Sequence, residues 1–125
     1  MSIRAVLFDL DNTLTHRGRS VATFSQDLAD TYQSQLNCVD VEQIESIVNR
    51  IDNGGYPLKE YLTHPSIGAS VAYALLQELN WQVAPHLEEL SNFWFAQFGS
   101  SAVAMPEAEQ TLTRLKQAGY KLAII

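Results

Sequence analysis

Two aspartates near the start of the chain, Asp9 and Asp11, are the residues whose types and spacing could do chemistry. They follow a short apolar run, and two carboxylates at this spacing project to the same side if the backbone stays extended. Such a pair repels unless a cation or a proton intervenes. A hard cation such as Mg²⁺ prefers oxygen ligands and also neutralises phosphate oxygens. One carboxylate could then attack phosphorus, while the other protonates the leaving alkoxide and later activates water.

The residues after the pair form a polar turn that could assist the same chemistry. Thr13 carries a hydroxyl that could steady the loop or bind a transferred phosphoryl group. Asn12 is typical of a turn position. His16 lies in the segment that leads out of the turn and could touch a substrate, although we favour a surface histidine. Because Asp-x-Asp is common by chance, its meaning depends on the elements that position it.

The apolar run before the pair predicts a strand. Residues 3–8 are apolar apart from Arg4, which indicates a strand buried on both faces, as in a parallel sheet. Ligands of open parallel sheets bind at the carboxyl ends of the strands. Asp9 and Asp11 follow this strand directly, so the sequence places them where such a sheet binds its ligands.

Residues 17–101 have a different character and are predicted to be helical. Four apolar stripes at helical spacing predict a small bundle in which each helix buries one face against the others. Asp40 and Gln43 would cap the second helix, and Gly54-Gly55 would end it. Residues 56–65 would be a connector with one helical turn, and the tryptophans and phenylalanines would fill the core of the bundle. The stripes are Val21, Phe24, Leu28 and Tyr32; Val41, Ile44, Ile47, Val48 and Ile51; Val71, Ala72, Leu75, Leu76 and Leu79; and Leu87, Leu90, Phe93, Trp94 and Phe98.

The last part of the chain predicts a helix and a second strand. Pro106 and Glu107 would open the helix, Gly119 would end it, and residues 120–125 would form the strand. Without the helical insert, a strand–helix–strand unit remains, which should be parallel and right-handed. Because the chain stops at Ile125, inside a predicted core strand, we expect the sequence to be the N-terminal part of a longer protein.

Composition and charge exclude several classes of function. The chain has fourteen acidic and eight basic residues and a net charge of -6, the opposite of the balance in nucleic-acid-binding proteins. A basic membrane-binding surface is excluded on the same ground, and no apolar stretch approaches the length of a membrane span. Cys38 is the single cysteine, so an internal disulfide is impossible. This fits a reducing cytoplasm, and we expect a cytoplasmic protein with neither a nucleic-acid nor a membrane partner.

The motif, the insert and the second strand together resemble the haloacid dehalogenase superfamily over the whole chain. The first motif of that superfamily is a hydrophobic strand followed by Asp-x-Asp-x-Thr, which VLFDLDNTL matches. The insert lies where the superfamily places a helical, C1-type cap, and MPEAEQTLTRLKQAGYKLAII resembles the core helix and second core strand. The resemblance implies an α/β fold, with a Rossmann-like parallel-sheet core in residues 1–16 and 102–125, incomplete here. Residues 17–101 would be the inserted all-helical cap domain.

The resemblance also implies roles for the motif residues. Asp9 would be the nucleophile and a Mg²⁺ ligand, and Thr13 would contribute to substrate binding. Asp11 would be the general acid/base, and its backbone carbonyl would also bind the metal. Members that cleave carbon–halogen bonds lack the second aspartate, and the ATPase version has lysine where this chain has Leu10, so phosphoryl transfer is favoured. The hydroxyl, lysine and acidic residues of the later motifs are expected beyond Ile125, so this chain alone is expected to be inactive.

The expected function is therefore Mg²⁺-dependent hydrolysis of a small phosphomonoester through an aspartyl-phosphate on Asp9. A phosphomutase or another phosphotransferase is the nearest alternative, because it needs the same aspartates and differs only in the acceptor. A non-catalytic fragment or pseudoenzyme, which acts through binding or has no activity, is an alternative from another class. The expected partner is a small phosphorylated metabolite.

Overall fold

The structure, a computed structural model, describes residues 2–125 and has an α/β fold with a short parallel sheet and a helical insert. Strand β1 (Ala5–Phe8) pairs in parallel with β2 (Lys121–Ile124), with Ala5 opposite Lys121. The helices are α1 (Arg17–Thr31), α2 (Val41–Asp52), α3 (Ile67–Glu78), α4 (Leu87–Gln97) and α5 (Ala108–Gln117). Short 3-10 turns lie at Gln33–Gln35, Asn53–Gly55 and Lys59–Tyr61. The predicted order of strand, helical insert, helix and strand is confirmed.

The hydrophobic core lies within the helical insert. The buried hydrophobic residues run from Val21 to Trp94, and all four predicted stripes contribute to them or pack against them. Phe95 is an exception to the prediction that the phenylalanines fill this core, because its side chain is exposed. It follows the buried Trp94, and one residue along an α-helix turns the side chain by about 100°, away from the stripe. None of the helices in residues 2–125 is long and apolar enough to cross a membrane.

Helices α3 and α4 approach closely where Gly68 lies against the indole of Trp94. A Cβ added at Gly68 would overlap the indole ring. That ring has little room to move, because it stacks on Phe98 at 4.3 Å between centroids and meets the edge of Phe24 at 5.0 Å. The absence of a side chain at Gly68 is therefore what allows this packing.

We expect Gly68→Ala to destabilise the fold. Overpacking of a dense core costs about 1–3 kcal/mol, which exceeds the helix propensity of about 1 kcal/mol that alanine contributes. Urea denaturation followed by circular dichroism measures the difference. Gly18→Ala is the matched control, because a Cβ there meets His16 only at an ordinary contact distance of 3.4 Å. A Gly68→Ala protein as stable as the Gly18→Ala protein would contradict this packing.

The ends of α2 agree in part with the predicted caps. The Asp40 carboxylate accepts the Gln43 backbone N–H at 3.1 Å, as predicted. The Gln43 side chain does not complete a reciprocal pair but donates to the Glu78 carbonyl at 3.2 Å. The helix ends at Asp52, and the next residue, Asn53, has a left-handed backbone (φ 46°) and precedes Gly54 and Gly55, so the predicted end is confirmed.

The prediction that Pro106 and Glu107 open helix α5 is wrong at its first turn. The helix begins at Ala108, because Glu107 has a left-handed backbone (φ 66°) that an α-helix does not accommodate. The predicted end is confirmed. Gly119 (φ 91°) donates to the Lys116 carbonyl at 3.0 Å, and Tyr120 donates to the Leu115 carbonyl at 3.1 Å. These two bonds form a Schellman motif, which satisfies the last carbonyls of the helix.

The two strands are shorter and less buried than predicted. The run 3–8 forms a strand only over Ala5–Phe8, and Leu7 remains 59% exposed. Burial on both faces is therefore wrong for this part of the chain. Among the described residues β1 pairs with β2 alone, and side chains alternate between the two faces of a strand. Val6 and Phe8 are half-buried on one face, whereas Leu7 points to the other.

Candidate active site

The turn after β1 is organised around the Leu10 carbonyl oxygen. The backbone N–H groups of Thr13, Leu14 and Thr15 donate to it at 3.3, 3.0 and 3.1 Å. Asn12 adopts a left-handed backbone (φ 57°), which asparagine tolerates well, so its prediction as a turn residue is confirmed. The chain thereby reverses tightly just beyond the carboxyl end of β1.

Asp9 and Thr13 contact each other within this turn. The Thr13 hydroxyl donates to Asp9 Oδ2 at 3.2 Å, and both side chains are exposed. This bond restricts the Asp9 carboxylate while leaving it open to an incoming group. Of the two roles considered for Thr13, the geometry favours the one in which it steadies the loop.

The oxygen atoms at this turn fit a hard divalent cation. The Asp9 carboxylate is exposed, and the backbone hydrogen bonds of the turn converge on the Leu10 carbonyl rather than on that of Asp11. Both proposed donors are oxygen atoms, which Mg²⁺ prefers over soft ligands. Within residues 2–125 no group of three or more His, Cys, Asp and Glu residues could hold a metal. Asp9 and Asp11 would thus provide only part of a coordination sphere.

Arg17, the first residue of α1, joins the motif to the helical insert. Its Nη1 lies 3.0 Å from Asp11 Oδ2, and its Nε and Nη2 lie 2.9 and 2.6 Å from the two carboxylate oxygens of Asp52. A cation at a helix N-terminus is unfavourable because of the helix dipole, and the two carboxylates offset this. The hydrogen bond to Asp52 raises the pKa of the Arg17 guanidinium above its usual value, against the opposing effect of burial.

Asp52 is a carboxylate with no exposed surface, at 0%. Besides the two bonds from Arg17, it accepts the backbone N–H of Gly55 at 3.1 Å. The Arg17 guanidinium lies over the ring of Phe98, 5.0 Å from its centroid. Arg17 and Asp52 therefore form a buried, bidentate ion pair between the start of α1 and the end of α2.

Neither member of this ion pair was predicted from the sequence, although the sequence carries a signal for each. Asp52 lies four residues after Val48, on the apolar stripe of its helix, where an unpaired charge would be costly. Arg17 is a cation in the first turn of a helix, where acidic residues are favoured. Each is an unfavourable choice by itself, and together they indicate a charge pair.

His16 is not the surface-loop histidine that we favoured. It is half-buried and caps α1, because its Nδ1 accepts the Arg19 backbone N–H at 3.1 Å. Its own backbone N–H donates to the Val103 carbonyl at 2.7 Å, and Met105 donates to the Leu14 carbonyl at 2.7 Å. The two connections between the sheet and the helical insert thus lie side by side and antiparallel.

A cleft of about 390 Å³ opens beside the motif. Its walls come from both the turn and the insert, and its polar lining includes Asp11, Thr15 and Arg17. Leu10, Phe98 and Ala102 contribute apolar surface. A small molecule bound here would contact the Asp11 side of the motif and the base of the helical insert together.

We expect Asp52→Ala to destabilise the fold strongly. It would leave Arg17, whose side chain is only 11% exposed, without its bidentate partner. Removing one member of a buried ion pair typically costs about 3–5 kcal/mol. Glu78→Gln is the matched control, because Glu78 pairs with Arg50 in an exposed bridge, and such bridges contribute about 0–1 kcal/mol. Equal losses of unfolding free energy in the two variants would contradict the buried pair.

The chain thus has a parallel strand followed by two aspartates, a helical insert, a helix and a second parallel strand, which is an α/β arrangement. Comparison with models of known protein families matches residues 3–125 to the haloacid dehalogenase-like hydrolases. The chain belongs to this family, which confirms the superfamily resemblance of the sequence. No curated protein sequence matches the chain.

Proposed function

We propose that the protein is a Mg²⁺-dependent phosphatase that hydrolyses a small phosphomonoester through an aspartyl-phosphate on Asp9. The observation that supports this most directly is the exposed Asp9 carboxylate at the end of β1, steadied by Thr13. Asp11, two residues further on, supplies a second carboxylate, which can give and take the protons of the reaction. Membership of a hydrolase family agrees with this chemistry.

In the first step an Asp9 oxygen forms a bond to phosphorus, and the bond from phosphorus to the ester oxygen breaks. Asp11 gives its proton to the departing oxygen, which leaves as an alcohol. In the second step Asp11 takes a proton from water, the water oxygen attacks phosphorus, and the Asp9–phosphoryl bond breaks to release phosphate. Mg²⁺, when bound by Asp9 and the Asp11 carbonyl, would supply charge neutralisation at the phosphoryl oxygens.

We further propose that residues 17–101 act as a cap over the substrate. The paired connections at Thr15 and Ala104 give the insert a narrow attachment to the sheet. Movement at such an attachment could open the site for a small phosphorylated metabolite and then exclude bulk water between the two steps. The net charge and the single cysteine agree with a cytoplasmic enzyme.

A screen of the purified full-length protein against a panel of metabolite phosphates tests the proposed function. We expect at least one ester to release inorganic phosphate with Mg²⁺, and we expect EDTA to stop the release. A phosphotransferase would instead move the phosphoryl group to an added acceptor, such as a sugar phosphate, faster than to water. The absence of turnover with every ester and acceptor would contradict the proposal and favour the non-catalytic alternative.

A further inference from the structure

We propose that Arg17 positions the Asp11 carboxylate for its proton transfers, and that the buried Asp52 fixes Arg17 for this task. The inference rests on the proposed function, in which Asp11 moves the protons. The inference adds two positioning residues, Arg17 and Asp52. Both belong to the helical insert, outside the motif, and they orient a side chain of the motif.

The Arg17 guanidinium has its geometry fixed by Asp52. Its Nε and Nη2 form two parallel hydrogen bonds to the carboxylate of Asp52, at 2.9 and 2.6 Å. Such a fork-to-fork pair fixes the plane of the guanidinium as well as its position. The remaining Nη1 therefore has a defined direction, and it points at Asp11 Oδ2 from 3.0 Å.

Other groups of the insert also hold Arg17 in place. Phe98 lies under the guanidinium at 5.0 Å. Gly55 approaches it so closely that an added Cβ would lie 3.2 Å from the Arg17 Nε. Gly55 also donates its backbone N–H to Asp52 at 3.1 Å, so the same turn orders both partners of the pair. Arg17 is thus held by aromatic, glycine and carboxylate groups, all supplied by the insert.

Asp11, by contrast, has a side chain that is 59% exposed. An exposed carboxylate samples several rotamers, and only those that point towards a substrate can transfer a proton. Within the described part of the chain, the hydrogen bond from Arg17 is the one that the structure gives to the Asp11 carboxylate. The direction of this carboxylate is therefore set by a residue anchored in the insert, which couples the placement of the insert to proton transfer.

Two other roles are possible. Arg17 and Asp52 could have a purely structural role by connecting α1 to α2, or Arg17 could bind the substrate. These roles differ in kinetics. Positioning of a proton-transfer group affects turnover most for esters whose leaving groups need protonation. A substrate contact raises KM for all esters alike. A purely structural tie changes stability and the fraction of active protein, with no dependence on the leaving group.

The kinetic test compares Arg17→Gln, Arg17→Lys and Asp52→Asn in the full-length protein, with alkyl and aryl phosphates as substrates. We expect kcat for alkyl esters to fall by about 10²-fold in Arg17→Gln, the scale of loss when a reacting group is misplaced. Aryl esters should lose clearly less, and KM should change little. Arg17→Lys keeps the positive charge but cannot make the bidentate hydrogen bonds of the guanidinium, so it should retain only part of the activity. Arg50→Gln, which removes an exposed arginine that pairs with Glu78, is the matched control and should keep full activity.

A second measurement separates this inference from the proposed function and does not depend on activity. The side-chain Nη1–H resonances of Arg17, the groups that face Asp11, should shift in an NMR spectrum of Asp11→Asn, a change at an exposed site that leaves the fold intact. An unchanged Arg17 resonance would overturn the inference whether or not the enzyme is a phosphatase. Equal losses for alkyl and aryl esters in Arg17→Gln, or a loss confined to KM, would overturn it while leaving the phosphatase activity established. A wild-type protein that is inactive on every ester would end the proposed function and, with it, the role of Arg17 in proton transfer.

Discussion

Asp9→Asn is expected to abolish phosphate release by the full-length protein while leaving its fold intact. The amide keeps the shape of the side chain but loses the charge that attack on phosphorus requires. Removing a member of a catalytic unit costs about 10⁴–10⁶-fold in turnover. The Asp9 side chain is exposed and, among residues 2–125, makes one hydrogen bond, to Thr13, so little stability depends on it. Steady-state phosphate release and circular dichroism measure the two effects separately.

Asp30→Asn is the matched control for this prediction. Asp30 is also an exposed aspartate, and it accepts a hydrogen bond from Gln26 on the surface of α1, outside the motif. The same change of charge there should leave turnover at the wild-type level. Activity of the Asp9→Asn protein close to that of the control would end the covalent mechanism proposed here.

Asp11→Asn is expected to slow turnover of alkyl phosphates by about 10²–10⁴-fold, the usual contribution of general acid–base catalysis. An amide can neither give a proton to the leaving alkoxide nor take one from water. Aryl phosphates should lose less in the first step, because their leaving groups need less protonation. The fold should remain stable, because the Asp11 side chain is 59% exposed and its bond to Arg17 is a partly solvated one.

Single-turnover kinetics of Asp11→Asn separate formation of the aspartyl-phosphate from its hydrolysis. We expect formation from an aryl ester to be nearly as fast as in the wild type, and hydrolysis to be slow. Equal losses for alkyl and aryl esters, with the first step rate-limiting, would argue that Asp11 does not protonate the leaving group.

The helical insert was predictable because its determinants are local and repeat along the chain. The stripe of Val21, Phe24, Leu28 and Tyr32 is buried as predicted, since helical periodicity places these side chains on one face whatever that face meets. Gly119 ends α5 because its left-handed backbone suits glycine, which is again a local matter.

Burial of the strands was not predictable from composition alone. An apolar run indicates a strand, but whether Leu7 is covered depends on the elements that pack on each face of the sheet. Glu107 shows a related limit: proline favours a first helical position, yet the left-handed backbone of the next residue delays the helix to Ala108.

The motif could be predicted from the sequence, whereas the ion pair could not, and the reason is again the difference between local and long-range contacts. Asp9, Asp11 and Thr13 are close in sequence, so the turn that joins them could be predicted from the motif. Arg17 and Asp52 are 35 residues apart, and their contact depends on how the start of α1 meets the end of α2. No local sequence pattern determines such a long-range contact. The one available signal was Asp52 itself, a charged residue on an apolar stripe.

Trapping a phosphoryl group on Asp9 would test the covalent mechanism. The full-length Asp11→Asn protein would be mixed with an aryl phosphate and Mg²⁺, quenched in acid, reduced with borohydride and digested for mass spectrometry. An acyl phosphate is reduced to an alcohol, so aspartate becomes homoserine. We expect homoserine at position 9 in an amount that rises with substrate concentration, and none without substrate. Stoichiometric release of the aryl alcohol with no homoserine at position 9, or with the modification at another residue, would contradict it.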